Sequence, residues 1–106
     1  MIIREWRGRA DRSKADAYPA HFRNNVLPEL RGIAGFLGAQ LSQRHLTGNI
    51  EFLVLTRWQS LDAIRAFAES DIAKAIVEPG GVAALLEFDA TVQHYEVIEE
   101  VESSGA

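Results

Sequence analysis

The sequence contains no cysteine in 106 residues. Disulfide bonds, thiolate nucleophiles and cysteine-based metal sites are therefore excluded. No stretch approaches the roughly eighteen consecutive apolar residues of a transmembrane helix, and the charged start of the chain does not fit a secretory signal peptide. We expect a soluble, cytoplasmic protein that does not insert into a membrane.

A strong charge of one sign is also missing. The 11 Lys and Arg residues form no run, and the formal net charge is −4. Nucleic acid and anionic membranes attract basic patches, so neither is expected as a partner. The three histidines have neither the H-x-x-x-H nor the H-x-H spacing of a metal site. No metal and no other cofactor is predicted.

Apolar residues are plentiful, at 47% of the chain. Together with the length of the chain, this content is sufficient for one domain with one hydrophobic core. We predict a single domain over residues 1–98 and a polar tail over residues 99–106.

The segment from Ile50 to Phe67 is the most informative part of the sequence. It begins as a nearly continuous apolar run, typical of a buried strand, and continues with apolar residues at helical spacing. Ser60 lies between the two parts and is a suitable helix N-cap. A strand that is apolar on both faces predicts a sheet covered on both sides, and the helix can cover only one of them.

The residues before this segment predict a strand followed by a helix. The strand covers residues 2–9. The helix is predicted over residues 13–27, because apolar residues recur there every three or four positions. Ser13 is its predicted cap, and Pro28 is predicted to end it, because the residue before a proline avoids the helical conformation.

A second strand is predicted over residues 36–46, in which apolar and polar residues alternate. The alternation places Leu37, Ala39 and Leu41 on one face of the sheet. The sequence Thr47-Gly48-Asn49 is typical of a turn, so this strand and the next are predicted to form a hairpin.

The second half of the chain is predicted to hold two more helices and a last strand. After a helix over residues 60–69, Ser70-Asp71 are predicted to cap a short helix through Val77. The sequence Glu78-Pro79-Gly80-Gly81 is predicted to end that helix. The last strand is predicted over residues 90–98.

The resulting order, β-α-β-β-α-β, predicts an α+β, ferredoxin-like fold with a four-stranded antiparallel sheet and its helices on one face. The third strand has Phe52 and Val54 on one face and Leu53 and Leu55 on the other. An exposed apolar sheet face is a liability for a monomer. A homodimer that packs the two sheets face to face is therefore predicted.

Three segments of the sequence together resemble one known family. They are the Trp58-Gln59-Ser60 hinge with the helix after it, the entry to the second strand at Ala34-Gly35-Phe36-Leu37-Gly38, and the strand His94-Tyr95-Glu96-Val97. With them, residues 2–98 resemble the antibiotic biosynthesis monooxygenase domain of the dimeric α/β-barrel superfamily. The resemblance implies a dimeric α/β barrel, and the fold alone does not choose a reaction.

The haem-degrading branch of this family has its own pattern of residues. It has an Asn near the end of the first strand, a Trp in the helix after the hinge, and a His ligand further along. In this sequence the three places hold Trp6 and Arg7, then Phe67, and then Ile76 and Val77. The resemblance therefore implies neither haem binding in that mode nor haem breakdown.

Other members of the family are cofactor-independent oxygenases that make quinones from phenols or hydroquinones. For this chain the resemblance implies a pocket between the sheet and the helices for a small hydrophobic aromatic molecule, whose own anion reduces O₂. The protein has to help remove a phenolic proton and stabilise the anion. The alternative is a non-catalytic dimer, ligand-binding or stress-associated, with the same pocket.

Three residues are the candidates for this chemistry. His21 borders the apolar stripe of the first helix, where it is either a general base or a half-exposed helix residue. Trp58 either donates its indole N–H to a substrate oxygen or fills the core. His94 either faces the pocket or forms a hydrogen bond at the dimer seam, and His45 is expected to be solvated. The oxygenase hypothesis requires His21, Trp58 and His94 to face one cavity.

Two arginines lie on the first strand, Arg4 and Arg7, next to Glu5. A buried guanidinium is costly unless it is paired. An Arg–Glu pair across the sheet or the dimer is therefore predicted here in preference to an anion site.

Overall fold

Five strands form one antiparallel sheet in the computed structural model, which describes residues 1–68 and 71–103. They are β1 (Ile2–Asp11), β2 (Phe36–His45), β3 (Asn49–Trp58), β4 (Glu87–Phe88) and β5 (Gln93–Glu96). The order is β2-β3-β1-β4, and β5 also pairs with β1. β3 pairs with the whole length of β1. β4 and β5 therefore share the other edge of β1. They act as one interrupted fourth strand, and the predicted ferredoxin-like α+β fold is confirmed.

The first helical region begins later than predicted. A 3₁₀ turn over Arg12–Lys14 is capped by Asp11, whose carboxylate accepts from Ser13, so Ser13 is not the cap. The helix itself starts with α1 (Ala17–His21). Pro19 lies in the first turn of α1. Backbone N–H groups in a first turn have no acceptor within the helix, so the absence of an N–H in proline costs no hydrogen bond there.

The same helical region also ends later than predicted. A π turn over Phe22–Val26 follows α1 and leads into α2 (Leu27–Arg31). Pro28 therefore lies in the first turn of a new α-helical segment and does not end the helix. The prediction of an end at this proline was wrong because it assumed a single uninterrupted α-helix.

The hairpin between β2 and β3 is confirmed, with Gly48 in the turn at a φ of 83°. Ala39 and Leu41 pair with Thr56 and Val54, whose side chains are buried on the helix side of the sheet. Leu37 differs from the prediction. It lies at a register shift between its two neighbours, and its side chain is 46% exposed.

The helix after β3, α3 (Leu61–Ala68), agrees with the prediction over the described residues. The hydroxyl of Ser60 accepts from the backbone N–H of Ala63, so Ser60 is the N-cap. Residues 69 and 70, which include the predicted cap Ser70, lie outside the part of the chain that the structure describes.

The helix predicted from Asp71 to Val77 is not formed. Residues 71–78 are extended or turn-like, and Lys74 forms an isolated antiparallel bridge with Thr91. The next helix, α4 (Pro79–Ala84), begins where a stop was predicted. Proline is favoured at the first helical position, so Pro79 starts a helix here.

The core lies on one face of the sheet, between the strands and the helices. One cluster contains Trp6, Tyr18 and Phe52. The other contains Trp58 and Ile64. These side chains explain why β1 and β3 lie at the centre of the sheet.

The opposite face of the sheet is mixed rather than fully apolar. Leu53 and Leu55 are only partly buried there. Glu51 is nearly covered, and it accepts hydrogen bonds from Arg9 and Arg44. Burial alone would raise the pKa of Glu51, but these two guanidinium groups outweigh it and lower the pKa. The predicted apolar face therefore carries an ionic network beside its leucines.

Candidate functional site

A cavity of about 70 Å³ lies between the sheet and the helices. Its walls are mainly apolar, and its polar lining side chains come from Arg4, Tyr18, His21, Glu29, Thr56 and Glu78. Among the lining residues, Glu29 and Ile76 are exposed to solvent, so the mouth lies near them. The resemblance implied a pocket in this position.

Arg4 is the buried cation of this cavity. Its residue surface is only 5% exposed, and the side chain lies on the helix side of β1 because alternate residues of this strand face the core. Nη1 donates to the carbonyl of Ile72 at 2.7 Å and Nη2 to that of Lys74 at 3.1 Å. The guanidinium carbon also lies 5.6 Å from the ring centroid of Phe67, a cation–π distance.

Within the described part of the chain, Arg4 makes no ion pair with a carboxylate. Burial lowers its pKa to about 10, which still leaves it charged at neutral pH. Arg7 pairs with Glu5, two residues away on the same strand and on the opposite face of β1, so this pair does not cross the sheet as predicted. For Arg4 the prediction was wrong, because neutral carbonyls and a histidine take the place of the carboxylate.

His94 is the cross-strand partner of Arg4. Its Nε2 lies 2.9 Å from Nη1 of Arg4. A guanidinium can only donate, so Nε2 accepts and the neutral ring carries its proton on Nδ1. Burial, followed by the charge of Arg4, lowers the pKa of His94. His94 touches the cavity through Arg4 and does not line it.

His21 lines the cavity directly. Its Nδ1 lies 3.2 Å from the side-chain amide nitrogen of Asn25, one helical turn further on. The glycines of α4 allow the ring to pack closely, since a Cβ on Gly80 would lie 2.8 Å from Nδ1 and one on Gly81 would lie 3.4 Å from Nε2. His21 is therefore in contact both with Asn25 of its own helical region and with the glycines of α4.

Trp58 is fully buried and is not part of the cavity lining. Its Nε1 donates to the hydroxyl of Thr56 at 2.8 Å, and its ring packs against Phe36 and Phe67. Thr56 and Phe67 do line the cavity. Trp58 thus contacts two residues of the cavity wall without lining the cavity itself.

Tyr18 and Glu78 both line the cavity. Burial, with a smaller contribution from the charge of Glu78, raises the pKa of Tyr18 far above its usual value. The phenol of Tyr18 is therefore neutral at physiological pH and can act as a hydrogen-bond donor.

The three predicted residues do not share one cavity wall, so the mechanism that required all three to face one cavity is not formed. His21 faces the cavity, whereas His94 contacts it through Arg4 and Trp58 contacts it through Thr56 and Phe67. Sequence reasoning missed Arg4 as a site residue. The signal was available, because Arg4 alternates with Trp6 on the core-facing side of β1.

No three His, Asp or Glu side chains cluster as a metal site within residues 1–68 and 71–103. In the same residues, no helix is long and apolar enough to cross a membrane.

The sequence profile of a known family, antibiotic biosynthesis monooxygenase, matches residues 1–79. The chain belongs to the antibiotic biosynthesis monooxygenase family. No protein of curated function matches the sequence significantly.

Solved structures share the fold of this antibiotic biosynthesis monooxygenase family member. Two are putative antibiotic biosynthesis monooxygenases. The one from Bacillus cereus is 16% identical with a TM-score of 0.68, covering 96% of this chain and 97% of its own. The one from Deinococcus radiodurans is 23% identical with a TM-score of 0.62, covering 99% and 100%.

A third similar structure is a variant of the protein MhuD with two manganese protoporphyrin IX molecules bound per active site. It is 20% identical with a TM-score of 0.61 and covers 97% of this chain and 100% of its own. In the present chain, the cavity wall holds Ile76 and Val77, at the place that the resemblance gives to the His ligand of the haem-degrading branch. Aliphatic side chains cannot ligate iron, so these residues do not fit a porphyrin held in that mode.

Proposed function

We propose that this protein is a cofactor-independent monooxygenase that oxidises a small phenol- or hydroquinone-like compound in the cavity. The observation that carries the proposal is that one buried cation, Arg4, and one imidazole, His21, line the same mainly apolar cavity. Apolar walls suit an aromatic ring. A fixed cation stabilises the negative charge that the ring has to carry before it can react with O₂.

The proposed first step is a proton transfer. His21 accepts the phenolic proton at Nε2, while Nδ1–H donates to the side-chain oxygen of Asn25. The 3.2 Å contact between these two side chains supports this arrangement, with the amide of Asn25 turned so that its oxygen faces the ring. The phenolate oxygen then meets the guanidinium of Arg4.

The proposed oxidation proceeds on the substrate itself. The phenolate gives an electron to O₂, and the two radicals join to form a C–O bond at a ring carbon that carries hydrogen. The O–O bond then breaks as that hydrogen leaves as a proton. One oxygen atom becomes the new quinone carbonyl, and the other leaves as water with the ring hydrogen and the phenolic hydrogen. The ring loses four electrons and O₂ gains four.

The size of the cavity limits the substrate. Drug-sized ligands occupy about 300–1,000 Å³, whereas this cavity measures about 70 Å³. The proposed substrate is therefore a small ring, or a ring whose substituents extend through the mouth beside Ile76.

His94 and Trp58 have supporting roles in this proposal. His94 holds Arg4 through the 2.9 Å contact, and Trp58 holds Thr56 through its indole N–H. Both are positioning residues, and His21 is the residue that exchanges a proton with the substrate.

We also propose that the working form is a homodimer that packs through the open face of the sheet. Leu53 and Leu55 on β3, together with Ile3 on β1, support the proposal, since a second copy would cover their partly exposed side chains. The ionic network around Glu51 lies on the same face and would fix the register of the two copies.

Oxygen uptake is the direct test of the reaction. The purified protein is mixed with a panel of phenols that have a free para position and with hydroquinones. Uptake of one O₂ per quinone is expected, with one atom of ¹⁸O₂ in each quinone made from a phenol. His21→Ala should lower the rate by about 10²-fold or more, since general base catalysis contributes about 10²–10⁴-fold.

Two further variants make the oxygen-uptake test specific. His45→Ala removes an exposed histidine at the end of β2 and should leave the rate unchanged. Trp58→Phe should lower the rate less than His21→Ala, because Trp58 acts only through the wall residues Thr56 and Phe67. Absence of uptake with every compound would reject the monooxygenase and favour the non-catalytic ligand-binding role.

A further inference from the structure

We propose that the cavity selects ligands that carry a single negative charge, with Arg4 as the residue that selects them and His94 as its positioning residue. The inference rests on the proposed function only in that the ligand occupies the same cavity. It concerns binding, and it holds whether or not the bound molecule reacts.

The first argument is the missing counter-charge. Arg4 is 5% exposed, and a buried guanidinium normally has a carboxylate beside it. Here its described acceptors are two backbone carbonyls and one neutral imidazole. The charge is held in place without being neutralised, and an anionic ligand would neutralise it.

The second argument is the number of donors left over. A guanidinium has five N–H groups. Arg4 donates both Nη1–H groups and one Nη2–H group to Ile72, His94 and Lys74. Among the described residues, nothing accepts from Nε–H or from the second Nη2–H. Since Arg4 lines the cavity, these donors are available to a ligand oxygen there.

The third argument is the charge of the other ionisable residues that line the cavity. Glu29 and Glu78 also line it, and Glu29 is exposed at the mouth. A ligand with one anionic end is drawn with that end towards Arg4. A second negative charge on the ligand would be repelled by these two carboxylates, so a dianion is disfavoured.

His94 fixes the direction in which Arg4 points. With the carbonyls of Ile72 and Lys74 it forms three points of attachment on the two Nη atoms. It can accept from Nη1 only while Nε2 is unprotonated. Its lowered pKa is consistent with this neutral state.

The test is a binding measurement with two probes of the same shape. Benzoate and benzamide are titrated into the wild-type protein at neutral pH by isothermal calorimetry. Benzoate is expected to bind about tenfold or more tightly than benzamide, because hydrogen bonds to charged groups are roughly twice as strong as neutral ones. Equal affinities, or no binding of benzoate at millimolar concentration, would overturn the proposal.

Two arginine variants then locate the selectivity. Arg4→Gln should bring benzoate and benzamide to within about threefold of each other. Arg7→Gln is the matched control, because Arg7 lies on the same strand, faces the other side and pairs with Glu5. It should keep the wild-type preference. Loss of the preference in Arg7→Gln alone would contradict the assignment, and the wild-type comparison decides even if Arg4→Gln does not fold.

The role of His94 is tested by selectivity rather than by stability. His94→Leu removes the acceptor and should lower the benzoate-to-benzamide ratio several-fold while leaving benzamide binding unchanged. His94→Gln supplies a carbonyl acceptor and should restore the ratio. Equal loss of both ligands in His94→Leu would indicate a merely structural role and reject this assignment.

Neither probe is a phenol, so these titrations do not depend on turnover. Charge-selective binding without oxygen uptake on any phenol would reject the monooxygenase and keep the present inference. Oxygen uptake on a phenol, without a preference for benzoate over benzamide, would keep the monooxygenase and reject the present inference.

Discussion

Gly80 lies against the imidazole of His21 so closely that a Cβ at this position would lie 2.8 Å from Nδ1. The contact joins α4 to the one predicted site histidine that faces the cavity. It also occupies the side of the ring that contacts Asn25. The position of His21 therefore depends on a residue without a side chain, far away in sequence.

Replacing Gly80 with alanine should displace His21. In a helix, alanine is favoured over glycine by about 1 kcal/mol, so the substitution should not destabilise α4. A loss of activity would therefore arise from the contact of the new Cβ with His21. We expect a changed imidazole NMR signal for His21 and oxygen uptake lowered several-fold. Gly32→Ala is the control, because its Cβ would lie at an ordinary 3.5 Å from the carbonyl of Glu29. An unchanged His21 signal in Gly80→Ala would contradict the prediction.

His94 should make the fold sensitive to mild acid. Burial, and then the charge of Arg4, lower its pKa from 6.5. Below about pH 6.5 the unfolded chain therefore binds a proton that the native state does not, and stability falls as the pH falls. His94→Gln accepts from Arg4 without titrating, so its stability should fall less.

Urea unfolding at about pH 7.5 and about pH 5.5 measures this difference. The exposed His45→Gln variant is the control and should follow the wild type. If His94→Gln lost as much stability as the wild type between the two pH values, the proposed coupling of His94 to Arg4 would be wrong.

Ser60→Ala should lower the free energy of unfolding by about 1 kcal/mol, within the usual range of about 0.5–2 kcal/mol for a lost N-cap. The hydroxyl of Ser60 accepts the N–H of Ala63, and alanine leaves that donor to water. Ser60→Asp retains an acceptor and should keep most of the stability in a denaturant titration. Equal losses in the two variants would argue against a capping role.

Leu55→Lys should convert the proposed dimer into a monomer. The side chain of Leu55 lies on the open face of the sheet, opposite Glu5 in register, and burying a lysine at a dimer interface costs more desolvation than a pair with Glu5 returns. Light scattering after size exclusion gives the mass directly. Ala66→Lys changes an exposed position on α3 and should remain dimeric. A wild-type protein that elutes as a monomer would refute the dimer itself.

Hemin should produce no Soret shift typical of histidine ligation when it is added to the wild-type protein. The cavity wall carries Phe67, Ile76 and Val77 at the places that matter in the haem-degrading branch. Val77→His supplies a ligand at one of them and serves as the positive control. A ligated Soret band in the wild type would show that another residue, such as His21, binds the iron.

The elements that the sequence predicted well are those set by neighbouring residues. The Ser60 cap and the turn at Gly48 each depend on a few adjacent positions, and both are confirmed. The alternation of β3 was read correctly for the same reason. Its two apolar faces follow directly from the order of its residues.

The helix wrongly predicted after Asp71 lies where distant residues decide the structure. The segment after Asp71 is held by Arg4, which takes the carbonyls of Ile72 and Lys74, and by the bridge from Lys74 to Thr91. No local signal could report these contacts. The site was predicted in part for the same reason, because the missing carboxylate beside Arg4 is visible only once the chain is folded.

The π turn at Phe22–Val26 changes the phase of the first helical region. His21 and Leu30 are nine positions apart, which in a regular α-helix of about 3.6 residues per turn would put them on opposite sides. Both nevertheless line the same cavity. The wider turn between them absorbs part of the rotation. Deleting the exposed Asn24 from it should restore the regular pitch and turn Leu30 away from the cavity without removing any residue that lines it.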